Sequence, residues 1–349
     1  SSRVRHRAGL SHATRFAPEE AKAALMEGLH LLGSTDYDPD ALARGRLVAA
    51  MVRLYDTTRD ATLVPMALTV ASQVTEPAWQ VAALLQVYRM TPGRADLRSD
   101  VVARIRTAAG AVSVPVQRAT LMLDLADQMI RNSEDAEAAE TLARVTEVIP
   151  SVPIPFLADS LRSRVAGAYL QLAKRQGDAR YRELAAEIAT AIEHDEIRLF
   201  TAGLDETLGL DVSPLYTSAR ELAERIVTDR YNPAQVAGLE NLIRSVPDRG
   251  VIARYFCMIA TLFNSTGKTQ LARRFLDVAL KEAGVIRPLS RRAYVQCDLA
   301  LMLDQARWGE RSEEVMGQAF DSATGIRQFA DRDEVFDNLS AAMRWMRGG

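Results

Sequence analysis

The sequence predicts an all-α chain of antiparallel helix pairs stacked into a solenoid of roughly sixteen helices. Three observations predict it. Ala, Leu and Arg dominate while aromatic residues make up only 6%, a composition that favours helix. Period-two runs of Val, Ile, Thr and Tyr are absent, so no strand is expected. And four prolines recur at one spacing: 77 − 39, 115 − 77 and 153 − 115 all equal 38.

The chain has 349 residues, with 48% hydrophobic and 25% charged. That is long for one compact core and suits either two domains or a repeat array. A formal net charge of −2 supplies no global field to draw nucleic acid or anionic lipid. No apolar stretch approaches the length of a membrane span; Leu47 to Val52 is short and flanked by Arg46 and Arg53. Two cysteines, Cys257 and Cys297, make neither a disulfide framework nor a zinc site. Two reduced, partly buried thiols mildly favour a reducing, cytoplasmic setting, with an envelope location open if an upstream signal has been trimmed.

In chain order, Ser1 to Arg15 reads as a flexible basic arm carrying Arg3, Arg5, His6, Arg7, His12 and Arg15. A first helix follows from Pro18 to Leu32, closed by Gly33. Then each proline of the periodic set lies just ahead of a helical pair, and proline suits a helix's first turn, which does not need the missing N–H. The pairs are Pro39 to Tyr55 with Ala61 to Val74, and Pro77 to Met90 with Ala95 to Ala111. Then come Pro115 to Arg131 with Ala136 to Ile149, and Pro155 to Lys174 with Ala179 to Ile192. Between His194 and Pro247 the pattern breaks into three segments, Ile197 to Leu210, Pro214 to Thr228 and Pro233 to Val246. Pairing resumes over Asp248 to Ala283 and Pro288 to Gly325, and Asp331 to Met346 caps the array. The expected organisation is therefore an arm (1–15), an N-terminal array (16–195), an irregular joint (196–246), C-terminal repeats (247–330) and a capping helix (331–349).

The best-formed unit, Phe256 to Ala279, places Ala260, Phe263, Gly267, Ala272, Leu276 and Ala279 at the packing and turn positions of a helical hairpin. Ala126, Met129, Ser133, Ala138, Leu142, Val145 and Pro150 follow the same pattern, with Ser133 in place of glycine. Ala300, Leu303, Ser312, Met316 and Ala319 follow it more weakly, because Trp308 and Gly309 displace the turn. These residues resemble the tetratricopeptide repeat family. The period of 38 departs from that family's usual length, and its tryptophan and tyrosine positions are mostly replaced here. The resemblance implies a right-handed superhelix whose first helices line a concave, peptide-binding groove. Carried over, the groove residues are Asp127 and Arg131, then Arg254, Cys257, Thr261 and Asn264, then Tyr294, Cys297, Leu301 and Asp304. A looser alignment adds Trp79, Gln86 and Arg89, and Arg164 and Gln171. The lysine and asparagine clamp by which many of these repeats hold a C-terminal carboxylate is not evident.

The signals for chemistry resolve into structure. Gly267-Lys268-Thr269 mimics the end of a phosphate loop, but Leu262 stands where that motif needs its first glycine, so it reads as a turn. His194-Asp195-Glu196 are adjacent and point in different directions, unlike metal ligands three or four apart on a helix, so they read as a charged helix end. His30 is alone. Glu313-Glu314 and Asp331 with Asp333 sit near helix starts, where negative charge is favoured. Arg273-Arg274 and Arg291-Arg292 have Asp277 and Asp298 nearby and are expected to pair within the chain.

The expectation is a non-enzymatic scaffold, without cofactor or metal, that binds a protein or peptide segment and neither nucleic acid nor the membrane interior. Its alternative is a subunit of a larger assembly that self-associates through terminal helices bearing Phe336, Trp345 and Met346.

Overall fold

The computed structural model describes residues 21–27, 41–91, 94–205, 208–228 and 232–348. The basic arm, Pro39, His30 and most of the first expected helix lie outside them. The described residues are all-α and contain no strand. A helical stretch over 21–27 precedes sixteen helices: α1 Ala41–Thr58, α2 Leu63–Ser72, α3 Pro77–Tyr88, α4 Ala95–Gly110, α5 Pro115–Arg131, α6 Asp135–Val148, α7 Pro155–Gln176, α8 Ala179–Thr190, α9 Asp195–Ala202, α10 Pro214–Thr228, α11 Pro233–Arg244, α12 Arg249–Ser265, α13 Thr269–Gly284, α14 Leu289–Gln305, α15 Gly309–Thr324 and α16 Phe329–Gly348. Packing divides them into two compact units, one ending at Leu142 and one beginning at Ala143.

In the first unit α1 pairs with α2 and α3 with α4. Pro77 and Pro115 occupy first-turn positions as the spacing predicts. The Glu76 side chain caps α3 by accepting from the N–H groups of Ala78 and Trp79, satisfying two of the donors a helix start leaves open. Tyr88 and Arg98 converge on Glu134, and burial together with the Glu134 carboxylate pushes the Tyr88 phenol up.

In the second unit α7 pairs with α8, α10 with α11, α12 with α13 and α14 with α15, while α16 covers α14 and α15. Phe256, Phe263 and Phe275 are fully buried where α12 meets α13, with ring centroids 5.5 and 5.2 Å apart in the favoured tilted and edge-on arrangements. Phe336 packs on Phe320 at 5.7 Å, so this ring serves the cap's own packing. The irregular segment resolves into the short α9, which lies on α7 and α8, and the pair α10–α11. One contact departs from stacking between sequence neighbours: α7 also packs directly on α14.

Three hairpin turns share one geometry. Ser133, Gly267 and Arg307 each adopt a left-handed backbone, with φ of 63°, 78° and 57°. The next N–H reaches back five residues in each: Glu134 to Met129 at 2.9 Å, Lys268 to Phe263 at 2.8 Å, and Trp308 to Leu303 at 2.9 Å. This is the Schellman closure of a helix C-terminus. The third repeat is thus in full register, and Trp308 does not displace its turn: Arg307 takes the glycine position. Ala138, Ala272 and Ser312, the small residues of the second helices, are all fully buried.

Candidate functional site

The most concentrated polar chemistry lies inside the second unit, at the start of α9. Pairing breaks after α8, and His194 becomes the residue that leads into α9, with an extended backbone. Its side chain is 2% exposed. Its ring Nδ1 lies 2.7 Å from Asp159 Oδ2 on α7. The same oxygen accepts the backbone N–H groups of Glu193 and His194, each at 2.9 Å, and Arg162 pairs with the other oxygen. On the far side of the ring, Nε2 lies 3.2 Å from the Arg254 guanidinium on α12 and 3.8 Å from Asp298 Oδ2 on α14. Phe156 closes the site edge-on, its ring 5.5 Å from the imidazole. Asp298 Oδ1 accepts the Phe156 N–H at 3.1 Å, whereas Asp298 Oδ2 is buried without a hydrogen-bond partner.

The adjacent acids point elsewhere, as neighbouring residues must. Asp195 accepts the Tyr255 hydroxyl at 2.8 Å and the Ser213 N–H at 3.0 Å, which ties α12 and the α10 leader to the start of α9. Burial raises Glu196, and the charges of His194 and Arg254 only partly offset it.

The two aspartates facing His194 are pushed in opposite directions. Burial pulls Asp159 up, but hydrogen bonds and charge from His194, with Arg162, more than offset it and leave its carboxyl below the ordinary value. Asp298 gains too little from His194 and Arg254 to offset burial and stays raised. Burial, with Asp195 and Glu196 nearby, pushes the Tyr255 phenol up to about 12.

Guanidinium has no lone pair, so in the neutral form of the ring His194 Nε2 accepts from Arg254 and the ring proton sits on Nδ1 facing Asp159. This is the carboxylate–imidazole half of a hydrolytic triad, but Nε2 is occupied by a cation and the ring is sealed from substrate. The two thiols do not complete it: burial pushes both Cys257 and Cys297 far above the usual thiol range, away from the thiolate that reacts. Among the described residues no group of three or more His, Cys, Asp or Glu side chains is placed to hold a metal ion, and no helix is long and apolar enough to cross a membrane.

The residues carried over from the repeat resemblance fall into two sets. In the first unit Trp79 is 49% exposed, Arg89 and Arg131 are exposed, and Gln86 and Asp127 are half-buried. In the second unit Gln171 is exposed, and Arg164, Arg254, Thr261, Asn264, Tyr294 and Asp304 are half-buried. Cys257, Cys297 and Leu301 are buried and cannot line a surface; the Cys257 thiol donates to the Leu299 carbonyl of α14 at 3.9 Å. Of the accessible set, Arg254 joins the His194 cluster, and the Tyr294 hydroxyl accepts from Asn338 at 3.5 Å. One arginine of each doublet pairs within the chain, through acids other than those expected: Arg274 meets Glu240 at 2.6 Å and Arg291 meets Asp248. Asp298, expected beside Arg291-Arg292, faces His194 instead.

The chain matches no protein-family model and no curated protein. Among solved structures it is similar to Ton1535 from Thermococcus onnurineus NA1, at 11% identity over 92% of this chain and 95% of that one, with a TM-score of 0.37. A likeness that loose transfers neither fold nor function.

Proposed function

We propose that the protein is a non-enzymatic, tetratricopeptide-like scaffold that binds a peptide or protein segment. The observation that carries this is an apolar trio, Leu199, Phe200 and Leu204, exposed together in the short segment that interrupts the pairs, with Phe200 67% open. Single exposed apolar residues are ordinary, but clustered ones mark interaction sites. Leu204 lies against α7: a methyl group on Gly167 would touch its Cδ1 at 3.5 Å. Gly167 lies three residues after Arg164 and four before Gln171, on one face of the helix. Apolar anchors beside oriented polar groups are what a peptide ligand needs. The recurring turn at Ser133, Gly267 and Arg307 supports the repeat reading.

The test selects binders from a displayed random-peptide library against the full chain, then measures them against Phe200→Ala and Tyr294→Ala, with thermal melts as fold controls. Phe200→Ala is expected to weaken binding about tenfold or more. Equal affinity for both variants and the parent would remove this face, and a library without enriched peptides would remove the reading.

A second reading, self-association through the cap, draws on Phe329, which is 71% exposed at the start of α16. Light scattering showing a monomer at every concentration would eliminate it.

A further inference from the structure

Arg254 is a groove candidate whose charged end reaches into the protein. It is half-exposed, yet its guanidinium donates to His194 Nε2 at 3.2 Å. Beside that contact lies an oddity: Asp298 Oδ2 is buried, unpartnered and 3.8 Å from the same nitrogen. A buried carboxylate oxygen with no donor is costly. Here the missing donor would be Nε2 itself, which in the neutral ring carries no proton.

We propose that His194 is a proton-operated latch on Arg254, holding the guanidinium while neutral and releasing it to solvent when protonated. One proton from solvent binds Nε2. The acceptor that held Arg254 becomes a donor, and a second positive charge now faces the guanidinium across a hydrogen-bond distance. Asp298 Oδ2 receives the new N–H by a small turn of the carboxylate about its fixed Oδ1, which stays on the Phe156 N–H. Asp159 continues to accept from Nδ1, so the imidazolium lies between two carboxylates.

The charged and titratable surroundings are consistent with this on every side. From α7 come Asp159 and its partner Arg162. The ring's own helix brings Asp195 and Glu196, with Tyr216 of α10 near both. α12 brings Arg254, Tyr255 on Asp195, and Cys257 beside Glu196. α14 brings Asp298 with Cys297 beside it. Arg162 already holds Asp159, so Arg254 is the cation displaced. Histidine is the side chain whose charge changes in the physiological range. Under the peptide-binding reading, which supplies the surface Arg254 would serve, release offers this arginine to an acidic group of the partner; the latch itself stands on the geometry alone.

The test needs no partner, so its failure and that of the binding reading are distinct. The full chain labelled with nitrogen-15 is followed by NMR from about pH 8 to about pH 5, with His194 assigned by His194→Gln, Arg254 by Arg254→Lys, and native fold checked by near-ultraviolet circular dichroism. The result expected is a neutral Nδ1–H ring with a resolved, protected Arg254 Nη–H signal at the upper pH. At the lower pH both ring nitrogens are protonated and the resolved Arg254 Nη–H signal collapses into the averaged signal of a freely rotating guanidinium. Guanidinium exchange with solvent is slower in acid, so that collapse reports release of the guanidinium and not the chemistry of exchange. Asp298→Asn is expected to retain the Arg254 signal at the lower pH. A ring that stays neutral down to the lowest pH at which the fold persists, or an Arg254 signal unchanged while the ring is protonated, overturns the latch. So does an Asp298→Asn variant that behaves like the parent; if that variant does not fold, the parent titration decides.

Discussion

Asp159 holds His194 twice through one oxygen: Oδ2 accepts the backbone N–H at 2.9 Å and lies 2.7 Å from ring Nδ1. A single α7 carboxylate thus fixes where α9 begins and how its leading histidine is turned. Removing it strands a buried ring N–H and two backbone N–H groups. Asp159→Ala is expected to cost about 3–5 kcal/mol, read as a lower urea midpoint. Asp159→Asn, which keeps an acceptor, is expected to cost less. The pH sign follows from a carboxyl held below its ordinary value: its contribution is present above the unfolded value and is lost as pH falls through the folded one. The stability gap between the parent and Asp159→Asn should therefore shrink on acidification below about pH 4; a gap that widens there would contradict the assignment.

Asp298 carries the opposite sign. Its carboxyl is raised, so the folded state binds more protons than the unfolded one, and its charge costs stability as pH rises above the ordinary carboxylate range. Asp298→Asn keeps the acceptor for Phe156 and removes that charge. It is expected to raise the melting temperature near neutral pH and to lose this advantage below about pH 4. Melting curves across pH for the parent and variant check both halves; a variant destabilised at neutral pH would mean that the pull of His194 and Arg254 outweighs burial.

The pairs were legible in the sequence because their punctuation is local. Pro115 and Pro214 open helices at the residues expected, and α5 and α10 end where the apolar pattern does, at Arg131 and Thr228. The His194 cluster was not legible, because its parts are remote: Asp159 is 35 residues from His194 and Arg254 is 60. Only the packing of α7 on α14 brings Asp298 to the same ring. No spacing rule encodes that contact, and His194-Asp195-Glu196 alone looks like any charged helix start. The turn at Arg307 was missed for a different reason. Glycine is the signal for a left-handed turn residue, and an arginine there is uncommon.

That arginine gives a direct test of backbone strain. Gly267 adopts φ of 78° without penalty, while Arg307 holds 57° with a Cβ in the way. Gly267→Ala is expected to destabilise by about 1 kcal/mol and Arg307→Gly to stabilise by about 0.5–1 kcal/mol, the gain reduced by the greater freedom of glycine in the unfolded chain. Urea unfolding of both variants checks this. If the two substitutions shift stability in the same direction, the turns are not equivalent.

The buried thiols offer a test of their own enclosure. Cys257 and Cys297 were expected on a partner-facing surface, and both are fully enclosed. Burial raises each thiol, with Glu196 adding to Cys257 and Asp298 to Cys297. Enclosure denies reagent access, and the missing thiolate denies reactivity. In the native protein a chromogenic disulfide reagent is expected to titrate neither cysteine on the timescale on which it titrates both in urea. Native labelling should then proceed no faster than the protein opens. Rapid stoichiometric labelling of Cys257 in the folded chain would return that residue to the surface and reopen the face of α12 on which it was first placed.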